Sequence, residues 1–223
     1  MNRHAFTLLP LVLTLTAVFL QPARAQEQAQ PPMKLAYTQP GFQHFKIGDI
    51  ELIALSDGTL PIPADQLFTN AKPAEVTAAL AKTYQAPHVD ASINAYLIKT
   101  GDRLVMVDAG TGELYGPNLN KLTATLKAVG YAPEQITDIL ITHIHTDHTG
   151  GLMDGDRQVF PNATLHIEQK EVDFWFSPAQ RAKSTKANLK YFDEAAAKVG
   201  PYKAAGRVKT FSGATELFPG IHS

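Results

Sequence analysis

The sequence has 223 residues, 44% of them hydrophobic and 18% charged, which is enough apolar material for one folded domain and too much for a disordered chain. Lys and Arg number 20 against 21 Asp and Glu, a net charge of -1, so bulk-charge attraction to nucleic acid is excluded as a basis for function. There is no cysteine, which removes disulfides, thiolate metal sites and a thiol nucleophile, and leaves His and carboxylates as the only strong metal donors.

Taken in chain order, residues 1–25 read as an export signal. Arg3 and His4 form a short polar start, 6–20 is a mostly apolar run, and Ala23-Arg24-Ala25 puts small residues at both positions that signal peptidase reads. The run is short for a membrane span of about 20 residues, contains Pro10, and is not followed by a basic stop-transfer cluster. The expectation is a mature protein starting at Gln26, periplasmic or secreted, with no stable membrane anchor. Residues 26–40, with Pro31-Pro32 and four Gln, read as an extended lead-in, and the folded domain is expected over 41–223.

Near-alternation of apolar residues over 42–47 and 50–55, around Gly48-Asp49, predicts a hairpin whose second strand stops at Ser56-Asp57-Gly58. The spacing then predicts a helix over 73–84 with Pro73 in its first turn, and strands over 93–98 and 104–107 around Thr100-Gly101-Asp102. A helix over 119–129, closed by Gly130, leads to a buried strand over 136–141. Further on come a strand over 164–167, helices over 169–176 and 189–199, and short strands around Val208 and Leu217. Strands alternating with helices indicate the α/β class, with helices layered on a sheet.

The chemistry is concentrated directly after the buried strand, in Thr142-His143-Ile144-His145-Thr146-Asp147-His148-Thr149-Gly150-Gly151. Side chains alternate along an extended backbone, so His143 and His145 can point the same way and grip one cation, while Asp147 and His148 can face a second. Imidazole and carboxylate suit borderline divalent metals such as zinc where no thiolate is available. Gly150 and Gly151 would let the backbone turn tightly behind these groups. The bland alternative is a polar loop facing solvent, and it is the preferred reading for the scattered His4, His44, His88, His166 and His222.

The pattern His143-Ile144-His145-Thr146-Asp147-His148 after an apolar strand resembles the metal motif of the metallo-β-lactamase superfamily, and 104–110, ending in Asp108-Ala109-Gly110, is similar to that family's strand-then-Asp-Gly element. Ala54-Leu55-Ser56-Asp57-Gly58, Tyr115-Gly116-Pro117, Asp173-Phe174-Trp175 and Phe211-Ser212-Gly213 are similar to organophosphate-hydrolysing members. The resemblance implies an αβ/βα sandwich with two divalent metal ions, zinc foremost, held by His143 and His145 and by Asp147 and His148. It implies a metal-bound hydroxide attacking an ester, lactone or organophosphate, a small-molecule substrate. Asp108 would support the histidine loop from behind, with a simple strand-end turn as the competing reading. Tyr115, Trp175 and Tyr191 match aromatic pocket positions, with a core role as the alternative for Trp175.

The same family also holds iron-dependent oxidoreductases acting on thiol-linked substrates, and that reading stays open, as do an inactive metal-binding fragment and a homodimer. Family members carry a further His, a bridging Asp and a last His downstream of the point where this sequence ends, and His222 sits slightly too early to be the first of these. The expectation is therefore a truncated sandwich, its first half and part of its second, with the remaining ligands beyond residue 223.

Overall fold

A computed structural model describes residues 41–223. The proposed export signal and lead-in lie outside the described residues. Among the described residues no helix is long and apolar enough to cross a membrane.

The chain opens with strand β1 (Phe42–Ile47) and β2 (Ile50–Pro63), antiparallel from Phe42 against Leu55 to Ile47 against Ile50. Contrary to expectation, Ser56-Asp57-Gly58 does not end β2. Pairing with β3 (His88–Thr100) runs through it, shifting register between Ser56 and Gly58, so Asp57 is the extra residue of a β-bulge. Gly58 has φ of 129°, and a Cβ there would stand 2.1 Å from the Asn118 carbonyl oxygen. Two short helices, α1 (Ala64–Leu67) and α2 (Pro73–Ala81), close the far end of this long arm. Helix α2 stops three residues before the predicted end, and Tyr84 takes a left-handed φ of 60° just beyond it.

β3 turns at Thr100-Gly101 into β4 (Arg103–Val107), and α3 (Leu122–Ala128) carries the chain across to β5 (Asp138–Ile141), parallel to β4. α3 begins later than the apolar spacing suggests because the backbone N–H groups of Lys121 and Leu122 are both taken by Asp57 Oδ1, at 2.9 Å. That remote carboxylate therefore satisfies the orphan donors of the first turn. After β5 come α4 (Thr146–Thr149) and a small hairpin, β6 (Met153–Asp154) with β7 (Arg157–Gln158). β8 (Thr164–Glu168) then pairs parallel with β5.

Helices α5 (Gln169–Trp175), α6 (Pro178–Lys183), α7 (Leu189–Lys198) and α8 (Gly200–Ala204) precede β9 (Val208–Phe211), parallel to β8. A last hairpin joins β10 (Glu216–Phe218) to β11 (Ile221–His222).

The result is a mixed seven-stranded sheet in the order β1-β2-β3-β4-β5-β8-β9. Its alternation divides the apolar residues between two faces. Leu97, Met106, Ile139, Ile141 and Leu165 join one core with Leu126 of α3, Val172 of α5 and Ala195 of α7. Ile98, Val105 and Leu140 face the other way, toward Phe218 of the last hairpin. All four residues of β5 are buried, as expected of a parallel strand covered on both sides. Each fully buried Leu or Ile in such a core contributes about 1.5–3 kcal/mol.

Candidate metal centre

Because β4 and β5 are parallel, their carboxyl ends lie side by side, and the chain leaves both at one edge of the sheet. Asp108 follows β4 and Thr142 follows β5. Asp108 extends the ladder, its N–H donating to the Leu140 carbonyl at 2.9 Å, then takes a left-handed φ of 61° that turns its buried carboxylate across to the next loop. Asp tolerates that conformation better than most residues, at a cost of roughly 1–2 kcal/mol. There Asp108 Oδ1 accepts the Thr142 N–H at 2.9 Å, Oδ2 accepts the Thr142 hydroxyl at 2.9 Å, and Oδ2 meets His148 Nδ1 at 2.8 Å. The two readings of Asp108 are thus one object, a strand-end turn whose carboxylate holds the histidine loop.

Contrary to expectation, the backbone over 142–144 is bent, not extended, and the His145 N–H donates to the His143 carbonyl at 3.0 Å. His145 caps the single turn α4, which swings Asp147 and His148 back over His143. The His143 ring lies 4.0 Å from that of His148 and 4.6 Å from that of His145, centroid to centroid, so the donors form one cluster and not two separate pairs. His148 Nε2 is 3.3 Å from Asp147 Oδ2. No three of these groups, nor any other three among the described residues, are arranged as a ready-made metal cage.

The electrostatics of the cluster are uneven. Burial works against a charge on His148, but hydrogen bonds to Asp108 and Asp147 outweigh it and push the imidazole up to about 9. Asp147 is held below the usual carboxylate range, mainly by its hydrogen bond with His148. His143 moves the other way, lowered by burial and then by the neighbouring His148 and His145. A neutral His143 therefore keeps an unprotonated nitrogen available to a cation.

Behind the cluster, Gly150 and Gly151 open a short 3-10 turn (Gly150–Leu152), so the backbone turns tightly there as their position suggests, but without a left-handed residue. Neither has positive φ. Their value is the missing Cβ: at Gly150 it would stand 2.1 Å from the Thr111 carbonyl oxygen, and at Gly151 2.0 Å from that of Ala109. Backbone lies directly on backbone here, with Ala109 N–H donating to the His148 carbonyl at 2.8 Å and Gly151 N–H to the Gly110 carbonyl at 3.1 Å. Asp57, delivered by the bulge in β2, locks the front of the same loop: its Oδ2 accepts the Thr111 N–H at 2.9 Å and hydroxyl at 2.8 Å. Asp57 is 1% exposed and spends both oxygens on four donors.

Beside the cluster is a concavity of about 440 Å³ that takes in Tyr115, Trp175 and Tyr191 together with Phe174, Phe192, His145 and Asp147. The Trp175 ring stands edge-on to His145 at 5.4 Å, and the Tyr191 ring is 6.1 Å from His145. Trp175 also packs on buried Phe192 at 4.9 Å and touches the main core, so it lines the cavity and braces α5 at once. Burial and then the nearby Asp147 raise the Tyr115 hydroxyl above its ordinary value, keeping it protonated.

Sequence reading did not find two carboxylates that hold this loop. Glu171 of α5 accepts from the Ile144 backbone N–H, and Glu194 of α7 accepts from the Thr146 hydroxyl. Both are remote in sequence from the motif. Their only local signal is an acid on the inner side of a helix that also carries an aromatic. Of the remaining histidines, His166 pairs with Asp138 at 2.8 Å inside the sheet, and His222 lies in the last hairpin, 4.0 Å from Glu216.

A family model described as the metallo-beta-lactamase superfamily matches residues 89–220. The fold is similar to that of a crystal structure described as hydrolase AbOPH in the beta lactamase superfamily, with a TM-score of 0.72 and 35% identity over 78% of this chain and 62% of that one. It is also similar to AidC, described as a dizinc quorum-quenching lactonase, with a TM-score of 0.65 and 26% identity over 80% and 64% of the two chains. Among curated sequences, an N-acyl homoserine lactonase AttM of Rhizobium johnstonii is 26% identical over 148 residues, 58% of this chain and 50% of its own. The chain spans half or less of the curated relatives' length and under two thirds of these solved chains.

Proposed function

The chain belongs to the metallo-beta-lactamase superfamily, and from that premise we propose that it carries the divalent-metal half of a hydrolase for aryl esters, lactones or organophosphates. The observation that carries this reading is that His145 and Asp147 belong both to the donor cluster and to the wall of the aromatic cavity, so a bound substrate would lie against the metal donors.

The donor set fits the metal in kind. His143, His145, Asp147 and His148 offer three imidazoles and a carboxylate without a thiolate, a set suited to zinc and its neighbours. Divalent ions in such a site polarise the reacting oxygen and make water a nucleophile at neutral pH. The protein's own part is positional. Asp108 fixes which nitrogen of His148 faces outward, as hydrogen-bonded carboxylates commonly do for ligating imidazoles. Tyr115, Trp175 and Tyr191 would hold a flat, apolar leaving group and keep water from one side of it.

On the segments around Tyr115 and Trp175 the finer reading is a likeness to methyl parathion hydrolase. The aromatic wall of Tyr115, Trp175 and Tyr191 supports an aryl ester or organophosphate, and the relatives described as lactonases support a lactone. The substrate would be met in the periplasm or outside the cell, by an exported protein that is a homodimer or a monomer.

Zinc analysis of the purified chain, together with hydrolysis of a 4-nitrophenyl ester and an alkyl ester by the intact gene product, tests the proposal. His145→Ala should lose metal and turnover together. Trp175→Ala should keep metal and lose about 1–3 kcal/mol of apparent affinity for the aryl ester alone. A wild-type chain that takes up no divalent metal, or a Trp175→Ala variant that loses both substrates equally while melting much earlier, would sink the reading.

A further inference from the structure

One carboxylate ties the histidine loop to the aromatic wall. Glu171, half-buried on α5, presents a single oxygen, Oε2, to two donors: the Ile144 backbone N–H at 2.7 Å and the Trp175 indole Nε1–H at 3.1 Å. The Ile144 side chain is anchored in the main core at 1% exposure, and its amide sits between His143 and His145. Trp175, four residues after Glu171 and so on the same face of α5, returns to the loop through its ring contact with His145 at 5.4 Å. Glu171, Ile144, His145 and Trp175 thus close a circuit. Helix formation does not require it, because the first turn of α5 is already capped by Glu168, which accepts the Lys170 N–H at 2.7 Å.

We propose that Glu171 is a positioning residue that sets the spacing between the paired histidines and the indole, so that an aryl group resting on Trp175 is held in fixed relation to His145. The inference rests on the pocket reading above. A carboxylate suits the task because a charged acceptor strengthens both bonds and one oxygen can serve two donors. The linkage also runs in both directions: whatever steadies the indole steadies the loop, and an occupant of the loop steadies the indole to the same degree.

The test uses the 223-residue chain without added metal. Trp175 is its single tryptophan, so fluorescence reports on the indole alone, while amide hydrogen exchange at Ile144 reports on the loop. Glu171→Ala should speed Ile144 exchange by about tenfold, the value expected for one lost hydrogen bond, and shift Trp175 emission, with exchange in β5 unchanged. Glu171→Gln retains an acceptor oxygen and should restore most of both signals; if the alanine variant does not fold, a small rise in Ile144 exchange confined to the loop of the glutamine variant decides the matter. 4-Nitrophenol should slow Ile144 exchange in the wild type and in Glu171→Gln but not in Glu171→Ala. Unaltered Ile144 exchange in Glu171→Ala overturns the proposal, and so does a rise spread evenly over the domain, which would mark a purely structural role. A wild type whose Trp175 emission ignores 4-nitrophenol overturns the pocket reading instead, and the exchange comparison among the variants still decides the role of Glu171.

Discussion

Asp57 and Asp108 hold the histidine side of the site through buried carboxylates and direct backbone contact, whereas the aromatic side leans on α5 to α7, whose polar ties are partly exposed. On the first side the Gly150-Gly151 pair lies within contact of the Ala109 and Thr111 carbonyls, and no side chain separates the two loops. On the second side α6 is capped by the exposed Ser177 hydroxyl at 3.3 Å and fastened by an Arg181–Asp193 ion pair at 2.7 Å whose partners are 42% and 65% exposed. The difference follows the work proposed for each side. Donors for a cation must be placed to within a fraction of an ångström, whereas a wall that meets a substrate's leaving group can shift to suit it.

Substitutions on the two sides should therefore differ sharply in cost. The largest effect is expected from Asp57→Ala, which strands the Thr111 and Leu122 N–H groups and leaves the Lys121 N–H and the Thr111 hydroxyl only the Asp57 and Gly112 backbone carbonyls, at 3.2 and 3.1 Å. It should cost about 3–5 kcal/mol, read as a fall in the urea midpoint at constant slope. A loss below about 1 kcal/mol would mean that water enters and satisfies those donors, and the contrast between the two sides would collapse.

Next comes Gly151→Ala. Its new Cβ must push the Ala109 carbonyl away from 2.0 Å, and the expected loss is about 1–3 kcal/mol, with faster amide exchange at Gly151 and Ala109. The comparison is sharpened if Gly151→Ala also weakens zinc uptake, because the loop it displaces carries His148.

Smallest is Arg181→Ala on the aromatic side, which should change the melting free energy by no more than about 0.5 kcal/mol, since exposed ion pairs contribute little and are screened by salt. A thermal melt giving a loss as large as that of Gly151→Ala would show that α6 is held as firmly as the histidine loop.

Much of the fold was legible because its periodicities are local. Alternation over 42–47 and 50–55 gave the first hairpin, and the apolar run before Thr142 gave the buried strand that delivers the donors. The continuation of β2 to Pro63 was hidden because Asp57 breaks the alternation by a single residue, and Ser-Asp-Gly is also what a turn looks like. Helix α3 was placed too early because Leu119 fits its apolar spacing, while the carboxylate that fixes its start comes from 64 residues away. The donors of the site could be read from the spacing of His143, His145, Asp147 and His148. Their supports could not, because Glu171 and Glu194 act across the fold, and nothing in the sequence says which helix faces the loop.

The strand order of the large sheet has a bearing on how the molecule assembles. Spatial neighbours follow sequence order from β1 to β5 and then through β8 to β9, so each strand is added to an edge that the preceding strands have already formed, and none is inserted between two existing ones. The first four pair antiparallel across connections that include two tight turns. The last three must each close a crossover before a parallel bond can form. Loop closure is an entropic cost incurred before such contacts stabilise anything, which makes the parallel additions the slow events of folding. The proposed metal loop emerges at the first of them, where β5 meets β4. The donors are therefore brought together only once the chain has passed from quick local pairing to slower long-range closure.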